Sequence, residues 1–143
     1  PGELECTAVA DLRPALWRKF ILNCAYNTIT AYYDCTTRGL TEYPARLQQF
    51  RTLIREAYTV ARAGDVPLDE TVVEDIYDQL LHRRSLDDTS SMARDFHAHR
   101  RSELETFGGT LIRQAAKWHV PVPLSSSFYT ALRKKKESYR DNP

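Results

Sequence analysis

The run WRKFILNCAYNTITA, residues Trp17 to Ala31, is apolar on nearly every side of a helix: Trp17, Phe20, Ile21, Leu22, Cys24, Ala25, Tyr26 and Ile29 leave no wide polar face. The exceptions fall on one line. Lys19, Asn23 and Asn27 are spaced i, i+4, i+8, so a helix stacks them along one side. At the helical rise per residue that stripe is roughly 12 Å long. A helix that is greasy everywhere else is expected inside the molecule. A lysine and two amides on it require a cleft or polar partners, because burying them unpaired is costly.

The flanks of this run set its boundaries. Asp11 is the expected N-cap, Pro14 sits in the first turn where its missing N–H is harmless, and the helix runs to about Asp34. Cys35 to Leu40 reads as a turn with one glycine. Thr41 is expected to cap a second helix, with Pro44 in its first turn. Leu47, Phe50, Leu53, Ile54, Ala57, Val60 and Ala61 keep the 3.6-residue period up to a stop at Ala63-Gly64. After Val66-Pro67, Asp69 is expected to cap a third helix that buries Val72, Val73, Ile76, Leu80 and Leu81. A short fourth helix holds Ser91, Met92 and Phe96.

Ser102-Glu103-Leu104-Glu105 has the form of a capping box, Ser102 at the N-cap and Glu105 at N3, opening a fifth helix with Leu104, Phe107, Leu111, Ile112, Ala115 and Trp118. Gly108-Gly109 inside it costs on the order of 1 kcal/mol per glycine, which anticipates close approach of another backbone. Val120-Pro121-Val122-Pro123 breaks the chain, and a last helix spans about Ser125 to Tyr139. No stretch alternates as a strand and no repeat is visible. The expectation is one all-α domain of about six helices over residues 1–143.

Composition excludes little. The 143 residues are 42% hydrophobic and 27% charged, with 20 Lys+Arg against 19 Asp+Glu and a net charge of +1. That balance gives no argument for nucleic acid, and the basic run Arg133 to Lys136 reads as a solvated last turn favoured by the helix dipole. Cys6, Cys24 and Cys35 are odd in number and form no C-x-x-C pair, which suits free thiols in a reducing cytosol rather than disulfides or zinc. No segment has the length of a membrane span, no histidine cluster has metal-ligand spacing, and no glycine-rich phosphate loop occurs.

Three positions beyond Asn23 and Asn27 draw attention as chemistry-bearing groups. Lys19 can act as a proton donor or anion binder, or simply snorkel. Glu103 falls at N1 of the capped helix, where the dipole favours a carboxylate and where it is free to face outward. Ser91 opens the short helix and can cap it or help bind an anion. Two mid-helix asparagines in register with a lysine suggest a polar ligand surface, the alternative being an interhelical hydrogen-bond network.

With these residues in hand a resemblance becomes visible. ALWRKFILNCAYNTITA, followed by SSMARDFHAHRRSELETFGG and then HVPVP, resembles the C-terminal domain of ketopantoate reductase (2-dehydropantoate 2-reductase), a helical domain like those of 6-phosphogluconate dehydrogenases. The resemblance covers about Asp11 to Tyr139. It implies an enzyme whose N-terminal Rossmann domain holds NADP(H) and whose helical domain completes the site from the substrate side. The implied reaction is reduction of ketopantoate to pantoate, on the route to pantothenate and coenzyme A, in the cytoplasm. Residue by residue, it makes Lys19 and Glu103 catalytic and makes Asn23, Asn27 and Ser91 contacts to the substrate. An alkoxide formed at C2 needs a proton and positive charge nearby, and an ammonium group supplies both.

Two departures stand out. The family's C-P-N-G-like turn reads Cys35-Thr36-Thr37-Arg38 here, with Thr37 at an asparagine position. No Rossmann domain is present in this chain, so the domain alone is expected to be inactive and to bind NADPH weakly. The partners implied are a 2-oxo acid and the Rossmann domain of the same protein, with a homodimer compatible with the resemblance, and no nucleic acid, membrane or metal. Two other readings remain open: a reductase of the same fold acting on a different 2-oxo acid, and a non-catalytic helical dimerisation or interaction module.

Overall fold

The computed structural model describes residues 11–83 and 85–140; Cys6 and the rest of the first ten residues lie outside the described part. Among the described residues there is no strand. The chain forms α1 (Arg13–Tyr33), α2 (Thr37–Thr41), α3 (Pro44–Ala63), α4 (Val72–Arg83), α5 (Ser91–His97), a π-helical turn (Glu105–Gly109) running directly into α6 (Thr110–Lys117), and α7 (Pro123–Arg140).

Helix α1 is the axle. It packs against α3, α4, α5, α7 and the π turn. Every residue from Cys24 to Ala31 is buried, which is why its apolar residues surround it rather than form one stripe. Its first two turns differ: Leu12 and Leu16 are 66% and 64% exposed, and Lys19 is exposed too. The expectation of a buried helix thus holds for its C-terminal half only.

The main core lies between α1, α3, α4, α6 and α7, around Ile21, Ile29, Phe50, Ile54, Ile76 and Leu111. A smaller cluster, Ala31, Met92, Phe96, Leu104 and Leu132, joins α1 to α5, the π turn and α7.

Helix starts depart from expectation more than helix bodies. Leu12, not Asp11, is the N-cap of α1; Asp11 instead accepts from the Arg13 backbone N–H at 3.0 Å, and the Arg13 guanidinium holds its carboxyl below the usual range. The expected turn over 35–40 contains α2, capped by Thr36. Tyr43 rather than Thr41 precedes α3. Asp69 accepts from Thr71 N at 3.0 Å, ahead of a helix that begins at Val72. Asp11 and Asp69 each close a local turn, which competes with capping for the same group.

Helix ends share one device. Among the described residues, the four non-glycine positions with left-handed φ, Asp34, Asp65, His99 and His119, sit just past α1, α3, α5 and α6. At each end a six-residue bond closes the motif: Cys35 N to Thr30 O, Val66 N to Ala61 O, Arg100 N to Asp95 O and Val120 N to Ala115 O. Gly64, expected to be the stop signal of α3, has φ −87°. Its lack of a side chain serves another purpose, since a Cβ there would lie 3.0 Å from Trp118 Nε1.

One tie spans the fold. Glu56 on α3 accepts from the backbone N–H groups of Leu124 (3.0 Å) and Ser125 (2.8 Å) and from Ser125 Oγ (2.7 Å). A carboxylate from one helix therefore caps the N-terminus of another, where the dipole favours negative charge.

Candidate active site

The polar stripe runs from solvent to core along α1. Lys19 is exposed, Asn23 is half-buried and Asn27 is only 7% exposed. Asn27 Nδ2 donates to the Asn23 carbonyl at 2.7 Å, and Asn27 Oδ1 accepts a long bond, 3.4 Å, from Met92 N at the start of α5. Both ends of this amide are thus engaged within the protein, so the buried end of the stripe serves as interhelical glue.

The same contact sets Ser91 beside the stripe. Ser90, not Ser91, caps α5: its Oγ accepts from Ala93 N at 3.0 Å and lies 2.7 Å from Thr30 Oγ1, which itself donates to the Tyr26 carbonyl at 2.6 Å. With Ser90 in the capping role, Ser91 is the first helical residue and is exposed.

Glu103 lies ahead of the π turn. The expected capping box does not form. Ser102 Oγ is buried without a hydrogen-bond partner, and the Glu105 carboxylate accepts two bonds from Tyr129 OH on α7, the longer at 2.7 Å. Glu103 takes the cap position in the backbone sense, its carbonyl accepting from Phe107 N at 3.1 Å, and its side chain is exposed. The chain that follows winds as a π turn, a distortion found mostly in short pieces and often near functional sites.

This turn is fitted against α1 through Phe107, whose ring lies 6.1 Å from that of Phe20 and whose carbonyl accepts from Cys24 Sγ at 3.6 Å. The close approach anticipated at Gly108-Gly109 is made by a ring rather than a backbone. A Cβ on Gly108 would lie 2.9 Å from Tyr129 Cδ1. Burial first, and then the Glu105 carboxylate, push the Tyr129 hydroxyl above its ordinary pKa.

The α1 stripe therefore has α5 against its buried end, with Ser91 beside the point of contact, while Phe107 of the π turn that follows Glu103 lies against Phe20 and Cys24. Lys19 makes no ion pair with Glu103 or with any other carboxylate among the described residues. Beside it, Leu16, Trp17, Phe20, Thr110 and Gln114 line an open cavity of about 370 Å³. Thr37, at the departure from the family turn, is buried, with its Oγ1 2.8 Å from Tyr26 OH and donating to the Asp88 carbonyl at 3.2 Å. Arg38 points to Asp87 at 3.2 Å.

Sequence reasoning missed Glu56, Tyr129 and Ser90. Only Ser90 had a local signal, as the serine ahead of the one singled out.

The arrangement is an all-helical domain with a lysine–asparagine stripe along its central helix, a serine turn at the stripe's buried end and a π turn packed beside the same helix. The chain belongs to the ketopantoate reductase family: the family model described as ketopantoate reductase PanE/ApbA C terminal matches residues 11–136. The 2-dehydropantoate 2-reductase of Shigella flexneri is 28% identical over 131 residues, covering 90% of this chain and 41% of that protein. That of Halobacterium salinarum is 29% identical over 123 residues, covering 86% and 40%. Among solved structures, a ketopantoate reductase from Ralstonia eutropha superposes with a TM-score of 0.82 at 28% identity, covering 92% of this chain and 44% of that one. A D-mandelate dehydrogenase bound to NADH shares the fold, with a TM-score of 0.80 at 20% identity over 92% and 43% of the two chains. The chain thus spans about two fifths of the length of the curated relatives.

Proposed function

We infer that this chain is the substrate-side domain of an NADPH-dependent 2-oxo acid reductase, with 2-dehydropantoate as substrate and pantoate as product. The observation that carries this is the pairing of the family match over residues 11–136 with an exposed Lys19 at the open end of the stripe. The reducing cofactor belongs to the Rossmann domain in this reading.

As the C2 carbonyl oxygen gains negative charge, the Lys19 ammonium stabilises it and donates the proton that completes the hydroxyl. Asn23 supplies amide donors and an acceptor to the substrate hydroxyls, Ser91 donates to the carboxylate, and Glu103 orients the substrate. Asn27 sets the spacing between the α1 stripe and α5. The exposed Leu12 and Leu16, with the adjoining apolar cavity, form the wall on which the nucleotide-binding domain sits.

The test is steady-state kinetics of the full-length reductase that carries this chain. Lys19→Ala is expected to lower kcat by about 10²-fold or more. Glu103→Ala is expected to lower kcat/KM. Turnover near that of the parent in Lys19→Ala removes the assigned role. A substrate panel separates a different 2-oxo acid, an alternative supported by the Thr37-Arg38 departure and the mandelate dehydrogenase fold; preference for another acid over 2-dehydropantoate decides for it.

A further inference from the structure

The basic run near the chain end does not behave as one solvated face. Arg133, Lys134 and Lys135 are exposed, and Arg133 pairs with Glu137 at 3.3 Å. Lys136 is half-buried and turns into a cavity of about 340 Å³ that it shares with His99, Arg100, Arg101 and Tyr139. None of these five belongs to the lysine–asparagine stripe or its partners.

The groove is shaped by the end of α5. His99 takes a left-handed φ of 57°, a position where glycine is usual. It is held there by stacking on Tyr139, ring centroids 3.9 Å apart and planes within 13°. Tyr139 also meets Phe96 of the smaller core at 6.4 Å. The aromatic pair forms a fixed wall, and the turn it stabilises presents Arg100 and Arg101 in succession beside Lys136. Arg100 Nε bonds Asp95 at 3.3 Å, leaving its two terminal nitrogens. Arg101 and Lys136 have no carboxylate within ion-pair distance among the described residues. Glu105 and Glu137, which border Lys136 on its other side, are engaged by Tyr129 and Arg133.

The lining brings Arg100, Arg101 and Lys136 together, with Asp95 paired to Arg100 alone. A phosphate monoester carries about −1.5 to −2 at neutral pH and has three acceptor oxygens. Two guanidinium forks and an ammonium offer more donors than a carboxylate can accept, and arginine is the side chain suited to such bidentate recognition.

We propose that the groove between the end of α5 and the last turns of α7, lined by His99, Arg100, Arg101, Lys136 and Tyr139, binds the phosphate group of a small phosphorylated molecule. The proposal stands independently of the reductase reading, since it uses none of the same residues and is tested on the 143-residue chain.

The experiment is a titration of that chain with inorganic phosphate and with glycerol 3-phosphate at constant ionic strength, followed by amide and side-chain NMR shifts. Saturable 1:1 shifts confined to residues around His99–Arg101 and Lys136 are expected. The double variant Arg101→Gln/Lys136→Gln is expected to weaken binding by about tenfold or more. Lys134→Gln/Lys135→Gln makes the same change in net charge on the exposed face and is expected to leave affinity within about twofold. Unsaturated or diffuse shifts, or equal weakening in both double variants, overturn the proposal. So does a short single-stranded RNA that binds more tightly than the monoester and spreads its shifts over Lys134 and Lys135, which would make this a nucleic-acid surface. Unchanged melting curves of the variants show that any loss is not unfolding.

Discussion

Single side chains here often do something other than what their neighbours in sequence suggest. Glu105 sits three residues after a serine, the spacing of a capping box, yet it accepts from Tyr129 on a helix far along the chain. Its effect is testable through pH. Because the folded pKa of Tyr129 is raised above its ordinary 10.0, the protonated hydroxyl is favoured in the folded state. The stabilisation is complete below pH 10 and is lost as pH rises through the higher folded value. Thermal melts from neutral to strongly alkaline pH are expected to show a steep loss of stability above that point, shallower in Tyr129→Phe. Identical alkaline limbs would show that the pair contributes nothing.

At the scale of elements, the π turn decides which glycine is needed. Alanine in a helix gains about 1 kcal/mol over glycine when nothing else changes. At Gly108 the new Cβ meets the Tyr129 ring at 2.9 Å, and that ring is held at its far end by Glu105. At Gly109 the nearest atoms are the ends of Arg113 and Glu105, at 3.1 and 3.2 Å. Gly108→Ala is therefore expected to destabilise by about 1–3 kcal/mol through overpacking. Gly109→Ala is expected to be near neutral, since a flexible arginine end can move. Urea denaturation of both variants checks the contrast, and equal effects would remove the ring as the cause. The same scale explains the helix ends. Asp and His at the left-handed positions are tolerated because the six-residue bond and nearby packing fix the turn, so a glycine search misplaces the stop by a residue, as at Gly64 and Asp65.

For the whole molecule, the ties that matter join distant segments. Glu56 holds the start of α7, 68 residues further on, to α3. Removing it leaves two backbone N–H groups at a helix start without acceptors. Glu56→Ala is expected to cost about 1–2 kcal/mol and lower Tm by several degrees. A melting curve like that of the parent would show that water replaces the carboxylate at no cost. The loop before α5 is tied in the same long-range way: Thr37 N and Arg38 N donate to the carbonyls of Asp88 and Leu86, both at 2.8 Å, and Thr89 Oγ1 to that of Cys35 at 2.7 Å. These bonds carry Ser90 and Ser91 to α1, so the candidate site is assembled by them as much as by its own residues.

The sequence by itself determined the helical class, the long bodies of α1, α3 and α7, and the stripe of Lys19, Asn23 and Asn27, because apolar period and i, i+4 register are properties of consecutive residues. It also carried the motifs that resemble ketopantoate reductases. Only the tertiary structure decided that Asn27 bonds to α5 while Lys19 meets solvent, that Ser90 rather than Ser91 is the cap, and that Glu105 leaves the capping box for Tyr129. The physical reason is common to all three. A short polar side chain satisfies the nearest unpaired donor or acceptor, and which group is nearest is set by how distant helices pack.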